Sequence, residues 1–492
     1  MVAGNEDLRL GESPMKKTTR RVLAVITTLF YVGGIIAAVE AVMTARTAQG
    51  AIAWSVSLVA APFVALPAYL VLGRSKFAGM VDAYEARKDD IDELIVEARR
   101  NLEPYVVPDE AQPRDFRAIE NLVNMRLTRG NDVELLVNGE ATFASILSGI
   151  AAARDYVLVQ FYMIHDDGLG RRLHDALIER ARAGVRVLLL YDEVGSKGLP
   201  ASYVGTLQDA GVQVSSFKPS QGRGNRFQLN FRNHRKIVVV DGVTGWVGGH
   251  NVGDEYLGLD EEFSPWRDTH VRLVGPVVIQ LQAVVLADWY WATRTIPQLN
   301  WQPRVATGGT NVMAMIVPTA PTQQLETAGL MFVSALNAAR ERIWLSAPYF
   351  VPDEAVMKAL ELAALRGVDV RIITTGKGDS LPVYLAAFHF MERLRGLGIR
   401  FYAYQPGFLH EKVALVDDDV SSVGTANFDN RSFRLNFEVT AMIADRAFAK
   451  RMEAMFEDDF AHSVAIDPET FDEKSFWWRL GVNLSRLAAP VL

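Results

Sequence analysis

Two stretches of the chain carry the same reactive residue types at the same spacing. His234-Arg-Lys236 is followed after four apolar residues by Asp241, and His410-Glu-Lys412 is followed after four by Asp417. Seven residues beyond each aspartate stands a glycine, Gly248 or Gly424, and three positions later an asparagine, Asn251 or Asn427. One His-x-Lys says little, because polar residues two apart commonly share the wet face of a strand. Two copies with one spacing call for chemistry that uses two imidazoles and two ammonium groups. Exchange at a phosphodiester is such chemistry. A neutral imidazole attacks phosphorus, a protonated one gives its proton to the departing alkoxide, and cations hold the phosphoryl oxygens. Lysine beside the nucleophile suits this, since a nearby positive charge disfavours protonation of the imidazole.

These residues need a rigid support. Ile237 to Val240 and Val413 to Val416 are apolar runs that stop at turn signals, Asp241-Gly242 and Asp417-Asp-Asp419, so each motif reads as a β-hairpin strand. Residues two apart on a strand share a face, which points each His and Lys into one space. Asp241 and Asp417 are candidates for the catalytic set, although at the turn a carboxylate also serves as a turn-former bonded to nearby backbone.

A longer repeat surrounds the motifs. Ala153-Arg-Asp-Tyr-Val-Leu-Val159 matches Ala339-Arg-Glu-Arg-Ile-Trp-Leu345, and Ala183-Gly-Val-Arg-Val187 matches Arg366-Gly-Val-Asp-Val370. Tyr156 to Tyr162, Gly170 to Ala183 and Val185 to Asp192 alternate as strand, helix and strand. Such βαβ units imply an α/β fold with a mainly parallel sheet covered by helices. Packed about a pseudo-two-fold axis, the two halves, 131–305 and 306–492, bring both hairpins to one pocket.

The 492 residues accommodate a two-lobed unit of roughly 350 residues plus extras, and length alone predicts about three domains. The absence of cysteine excludes disulfides, thiolate zinc sites and cysteine nucleophiles. A net charge of −7 gives no sign of a nucleic-acid partner. His165, His174, His250, His270, His389 and His462 show no metal-ligand spacing, so neither a metal nor another cofactor is expected.

The amino-terminal region points to a bilayer. Val22 to Val39 and Ala51 to Gly73 are uncharged and long enough to span as helices, giving expected spans at 22–43 and 51–73. Lys16, Lys17, Arg20 and Arg21 precede the first span in a basic tail, 1–21. Arg74 and Lys76 follow the second, and only Arg46 lies between, which puts both outer flanks in the cytoplasm. Gly33-Gly34 suggests close helix packing. Region 74–130 reads as a linker or surface helix with a solvated charged face. The carboxyl end, with Phe476-Trp-Trp-Arg-Leu480, reads either as an interfacial segment or as a terminal helix packed on the domain.

The doubled His-x-Lys-x4-Asp with its trailing Gly and Asn resembles the phospholipase D superfamily from about Asn131 to the carboxyl end. Gly248-Gly-His-Asn-Val-Gly-Asp-Glu-Tyr256, Pro265-Trp-Arg-Asp-Thr-His270, Asp288-Trp-Tyr-Trp291, Pro348-Tyr-Phe350 and Asn430-Arg-Ser-Phe-Arg-Leu-Asn-Phe-Glu438 resemble the bacterial cardiolipin synthases. The membrane hairpin is similar to theirs too. The resemblance implies transfer of a phosphatidyl group between two phosphatidylglycerol molecules at the inner membrane, through a phosphatidyl-histidine and without metal. It makes His234 the nucleophile and His410 the acid and then the base, with Lys236, Lys412, Asn251 and Asn427 on the phosphoryl oxygens, beside Gly248, Gly424 and Thr425. Where the family often has serine after the glycine, this chain has Gly249 and Thr425. A membrane-tethered phospholipase or nuclease would share every motif residue, whereas a non-catalytic scaffold would have no need of two intact His-Lys pairs. Oligomeric state is not legible.

Each imidazole also needs an acceptor for its second nitrogen. Glu438 lies in the apolar stretch Phe437 to Ile443, where an unpaired carboxylate would be costly. Counting back from the corresponding strand ends puts Asp268 at the matching position, with Glu262 as the alternative.

Overall fold

The structure, a computed structural model, describes residues 14–45, 47–73, 77, 79–80, 88–113, 116–221, 230–378, 380–467 and 471–491. Arg46, Arg74, Lys76 and most of the basic tail fall outside them, as do the side chains of Lys16 and Lys17. By its internal contacts the chain divides into an amino-terminal unit and a larger unit that begins at Phe77.

In the amino-terminal unit one helix, Pro14–Thr44, contains a stretch, Thr18–Thr44, long and apolar enough to cross a membrane. The second apolar stretch is not one helix. It runs as Ala48–Ala60, breaks at Ala61, and resumes as Pro62–Ala68 with a final wide turn, Tyr69–Gly73. Pro62 has no N–H for the ladder and disfavours helical backbone in the residue before it, and Ala61 duly sits at φ −138° and ψ 59°. The helices touch through Ala37, Ala38, Ala41, Leu58, Ala65 and Tyr69. A side chain at Gly34 would come within 2.5 Å of the Leu58 carbonyl oxygen, so this glycine permits close backbone approach. Val25, Leu29, Ile36 and Val39 remain exposed, a surface suited to lipid rather than water.

The larger unit is built on one sheet with internal symmetry. The first half contributes, in spatial order, Gln213–Phe217, Arg186–Asp192, Tyr156–Phe161, Ile237–Val240, Thr244–Gly248, Thr269–Val274 and Thr128–Val137. The second continues with Val312–Thr319, Asn436–Ala444, Val420–Gly424, Val413–Val416, Arg342–Ser346, Asp369–Thr375 and Arg400–Tyr404, and an edge strand, Ser463–Ile466, closes the series. The second series is the first in reverse, so the pseudo-two-fold axis passes between Thr128–Val137 and Val312–Thr319, which pair antiparallel. The expected βαβ unit appears as Tyr156–Phe161, Gly168–Arg182 and Arg186–Asp192 with parallel pairing. Thr128–Val137 begins ahead of the expected boundary at 131, because its first residues pair across to the other half.

Region 74–130 is more than a linker. Helix Lys88–Leu102 packs Ala98 and Leu102 against Ile279 and Trp301, and helix Phe116–Val123 inserts Phe116 and Ile119 into the second half's core. Their apolar residues at helical spacing cover sheet and helix surface that water would otherwise reach. The carboxyl end forms helix Phe476–Leu487, packed on the domain as one of the two expectations has it. Trp478 and Val482 face the protein, while Phe476, Trp477, Leu484 and Leu487 remain exposed.

Candidate active site

Each His-Lys pair lies on the chain entering a hairpin strand, and alternation along that chain sorts the neighbours. The intervening residues, Arg235 and Glu411, turn the other way into buried ion pairs. Arg235 Nη1 donates to both Asp288 carboxylate oxygens at 2.7 and 2.8 Å. Glu411 accepts from Arg267 at 3.0 Å and from the Thr269 hydroxyl at 2.8 Å, while Arg267 also binds Asp459. Such pairs fix register rather than add much net stability, but breaking one leaves a buried charge, at a cost of about 3–5 kcal/mol. Asn233 adds a further anchor, its N–H donating to Asp192 and its amide to Asp288. The backbone around His234 is therefore held from behind.

On the site face the two halves exchange partners. His234 Nδ1 donates to Glu438 at 2.9 Å, and His410 Nδ1 donates to Asp268 at 2.8 Å. Each carboxylate thus serves the histidine of the opposite half, and neither site is complete within one half. Both acids are fully buried, whereas the imidazoles retain 12% and 11% exposure, enough for Nε2 to meet a substrate. Glu438 is fixed in turn by the Ser432 hydroxyl and the Asn436 amide, each donating at 3.0 Å. Glu262, the alternative acceptor, is exposed on a loop. Lys236 Nζ donates to the His234 carbonyl oxygen at 2.6 Å, and Lys412 makes the matching contact with His410.

Burial sets the protonation states. Loss of solvent pushes the His234 imidazole down from 6.5 to about 4, with Glu438 opposing and Lys236 and Lys412 assisting. His410 is pushed well below 6.5, first by burial and then by Lys412 and Lys236. Burial lowers the Lys236 ammonium from 10.5 to about 7. Near neutral pH each imidazole is uncharged, with its proton directed by the carboxylate at Nδ1 and its lone pair at Nε2. That is the form a nucleophile requires.

Several expected site residues sit elsewhere. Asp241 accepts from the backbone N–H groups of Arg154, Asp155 and Tyr156, and Asp417 from those of Arg340, Glu341 and Arg342. Both have positive φ, 54° and 49°, and lie at the far end of the strand from the imidazole. The turn-forming reading describes them, and no catalytic contact does. Gly248 and Gly424 owe their identity to packing, since a side chain would lie 2.4 Å from the Thr269 carbonyl oxygen or 2.6 Å from that of Val439. They let each hairpin press against the strand that carries the orienting carboxylate. A side chain at Gly249 would fall 1.9 Å from the Asp268 carboxylate, which explains the missing serine. The Thr425 hydroxyl accepts from the Val439 N–H at 2.9 Å and hydrogen-bonds the Glu438 carboxylate that holds His234.

The two asparagines differ. Asn251 has both ends of its amide engaged, accepting from the Met163 N–H and donating to the Tyr256 hydroxyl. Asn427 is buried with its Oδ1 unpartnered, so it has hydrogen-bonding capacity for a ligand. Tyr162, 5.0 Å from the His234 ring, and Trp266, 5.1 Å from the His410 ring, complete the walls. Trp266 lay in the Pro265-Trp-Arg-Asp-Thr-His270 match, but pattern alone gave it no role, and Tyr162 follows strand Tyr156–Phe161 with no motif of its own. Among the described residues, one group could hold a metal ion: His165, Asp167 and Glu255. Asp167 already caps helix Gly168–Arg182 through the Gly170 N–H.

Two symmetry-related halves that bring two carboxylate-held imidazoles and two buried lysines within one another's electrostatic reach define a phospholipase D-like enzyme. The family described as cardiolipin synthase, PLD-like domain, matches residues 146–268 and 332–460. Cardiolipin synthase A of Pseudomonas putida strain GB-1 is 47% identical over 469 residues, covering 94% of this chain and 97% of that protein. Cardiolipin synthase A of Pseudomonas aeruginosa strain LESB58 is 47% identical over 489 residues, with 98% of each chain covered. The chain belongs to the cardiolipin synthase family and is a phosphatidyltransferase of the phospholipase D superfamily. Among solved structures, phosphatidylserine synthase of Haemophilus influenzae Rd KW20 shares the fold, with TM-score 0.58 and 14% identity over 76% of this chain and 99% of that one.

Proposed function

We propose that the protein joins two phosphatidylglycerol molecules into cardiolipin, releasing glycerol. The observation that carries this reading is the crosswise pairing of His234 with Glu438 and His410 with Asp268, which leaves Nε2 of each imidazole for substrate. An arriving phosphodiester anion favours protonation of an imidazole, and His410 takes up that proton. His234 Nε2 attacks phosphorus, an N–P bond forms, and the P–O bond to glycerol breaks as His410 protonates the leaving oxygen. His410 then accepts the proton of the second lipid's hydroxyl, whose oxygen attacks phosphorus and frees His234. Lys236, Lys412 and Asn427 serve the phosphoryl oxygens.

The amino-terminal helices fit a two-pass hairpin at a bacterial inner membrane, with the catalytic halves on the cytoplasmic side, supported by the basic flanks. Protease added outside intact spheroplasts then leaves those halves whole. Their digestion contradicts this orientation.

Purified protein in detergent, given phosphatidylglycerol alone with a metal chelator present, is expected to yield cardiolipin and glycerol in equal amounts. Phosphatidic acid in place of cardiolipin would make it a membrane-anchored hydrolase.

A further inference from the structure

The two crosswise pairs are supported from behind in different ways. Each follows a two-residue parallel pairing between the halves. Arg232–Asn233 pairs with Asn436–Phe437 just ahead of His234 and Glu438, and Phe408–Leu409 pairs with Trp266–Arg267 just ahead of His410 and Asp268. So short a pairing holds register weakly by itself, and the side chains that alternate to its back face supply the rest. Behind His410 that side chain is Arg267, locked to Glu411 and Asp459. Three residues before His410 stands Gly407, where a side chain would lie 2.1 Å from the Pro265 carbonyl oxygen, so backbone fills that place. The second pair is held by residues of the two halves themselves.

Behind His234 the corresponding positions are aromatic. Phe437 immediately precedes Glu438, and its carbonyl accepts from the His234 N–H at 2.9 Å. Phe231 stands three residues before His234. Both rings meet Phe77, which is fully buried with its ring centre 5.3 Å from each of theirs. Phe77 also lies 5.2 Å from Trp291, three residues after the Asp288 that holds Arg235, and 6.1 Å from Phe217. Phe217 is the register partner of Asp192, the acceptor for the Asn233 N–H. Four segments remote in sequence thus converge on one ring, and each carries or adjoins a residue that places His234 or Glu438. Phe77 itself precedes both halves. It is the fourth residue after Gly73, where the second apolar stretch ends, with only Arg74-Ser-Lys76 between them in the sequence.

We propose that Phe77 is a positioning residue for His234 and Glu438, so that the segment following the apolar stretches completes the active site's support. Without its ring, Phe231 and Phe437 border a void, and the two chains that carry the imidazole and its acceptor lose the body that spaces them. The amino-terminal anchor is thereby tied to catalysis as well as to location. This rests on His234 and Glu438 serving as a reacting imidazole and its acceptor.

The test compares full-length wild type, Phe77→Ala, Phe77→Leu and Phe116→Ala in phosphatidylglycerol micelles. Phe116 is a buried aromatic of the second half's separate core, so its truncation controls for lost packing alone. Turnover is read as glycerol released per folded molecule, which transfer and hydrolysis both produce. For Phe77→Ala, kcat is expected to fall about tenfold or more with KM within about twofold, because a misplaced reacting group costs rate rather than binding. Phe77→Leu, which keeps part of the contact, should lose only about threefold, and Phe116→Ala should stay within about twofold of wild type. Should Phe77→Ala fail to fold, Phe77→Leu decides by the same readout. A kcat per folded molecule that drops no further in the Phe77 variants than in Phe116→Ala overturns the assignment. A His234→Ala protein with wild-type glycerol release would instead overturn the reading of the site on which it rests.

Discussion

His234 and His410 share residue type, motif and burial, yet their carboxylates differ in length and support. Glu438 is braced by Ser432 and Asn436, while Asp268 accepts from the Thr269 N–H and crowds against Gly249. Removing either imidazole is expected to nearly abolish turnover, with the double variant little worse than either single one, because the two act as one unit. Asp241 is the contrast. With its carboxylate on three backbone N–H groups, Asp241→Ala should lower stability by about 1–3 kcal/mol and leave the kcat of the folded enzyme within about twofold. Denaturant unfolding together with turnover of the folded fraction separates these outcomes. An Asp241→Ala protein of native stability and lost turnover would return the aspartate to the catalytic set.

Among the elements, the carboxyl-terminal helix has one packed face and one exposed apolar face. Trp478 and Val482 dock it, and Trp477, on the outer side, is 75% exposed. An exposed aromatic and leucine face with Arg479 and Arg486 nearby suits an anionic bilayer surface. Because the chain has no cysteine, spin labels placed at Trp477→Cys or Leu484→Cys report on those positions alone. In vesicles containing phosphatidylglycerol these labels should be accessible to oxygen and shielded from a polar nickel reagent, compared with a label at Glu473→Cys. Equal access to the polar reagent at all three positions would detach this helix from the membrane. Cleaving away the amino-terminal helices should then release the protein from vesicles only in part.

For the molecule as a whole, neutral buried imidazoles couple folding to pH. The unfolded chain protonates His234 near 6.5, but the folded one only near 4, and His410 is depressed in the same direction. Between those values the unfolded state binds more protons, so stability is present above about 6.5 and is lost as pH falls toward 4. The His234 imidazole contributes on the order of 3 kcal/mol across that window, and His410 adds in the same direction. Thermal midpoints in detergent should therefore drop across this window, and the His234→Gln/His410→Gln protein should show a shallower dependence. An identical slope in the variant would place the effect elsewhere.

Local spacing and periodicity were enough to read the doubled hairpin, the βαβ repeat, the first apolar helix and the pair Asp268 and Glu438, because each depends on residues a few positions apart or on a count within one half. Pro62 accounts for the break at Ala61, which the expected single span over 51–73 does not contain. Tertiary structure decided the rest. Sequence could not say that His234 takes its acceptor 204 residues away and His410 takes its own 142 residues away, each in the opposite half. Nor could it separate Asn251, whose amide is filled by Met163 and Tyr256, from Asn427, whose oxygen is open. The physical reason is that a strand's alternation fixes which face a side chain takes, while its partner depends on which sheet edges meet. Here they meet at an axis between Thr128–Val137 and Val312–Thr319, and that contact converts two similar halves into one site.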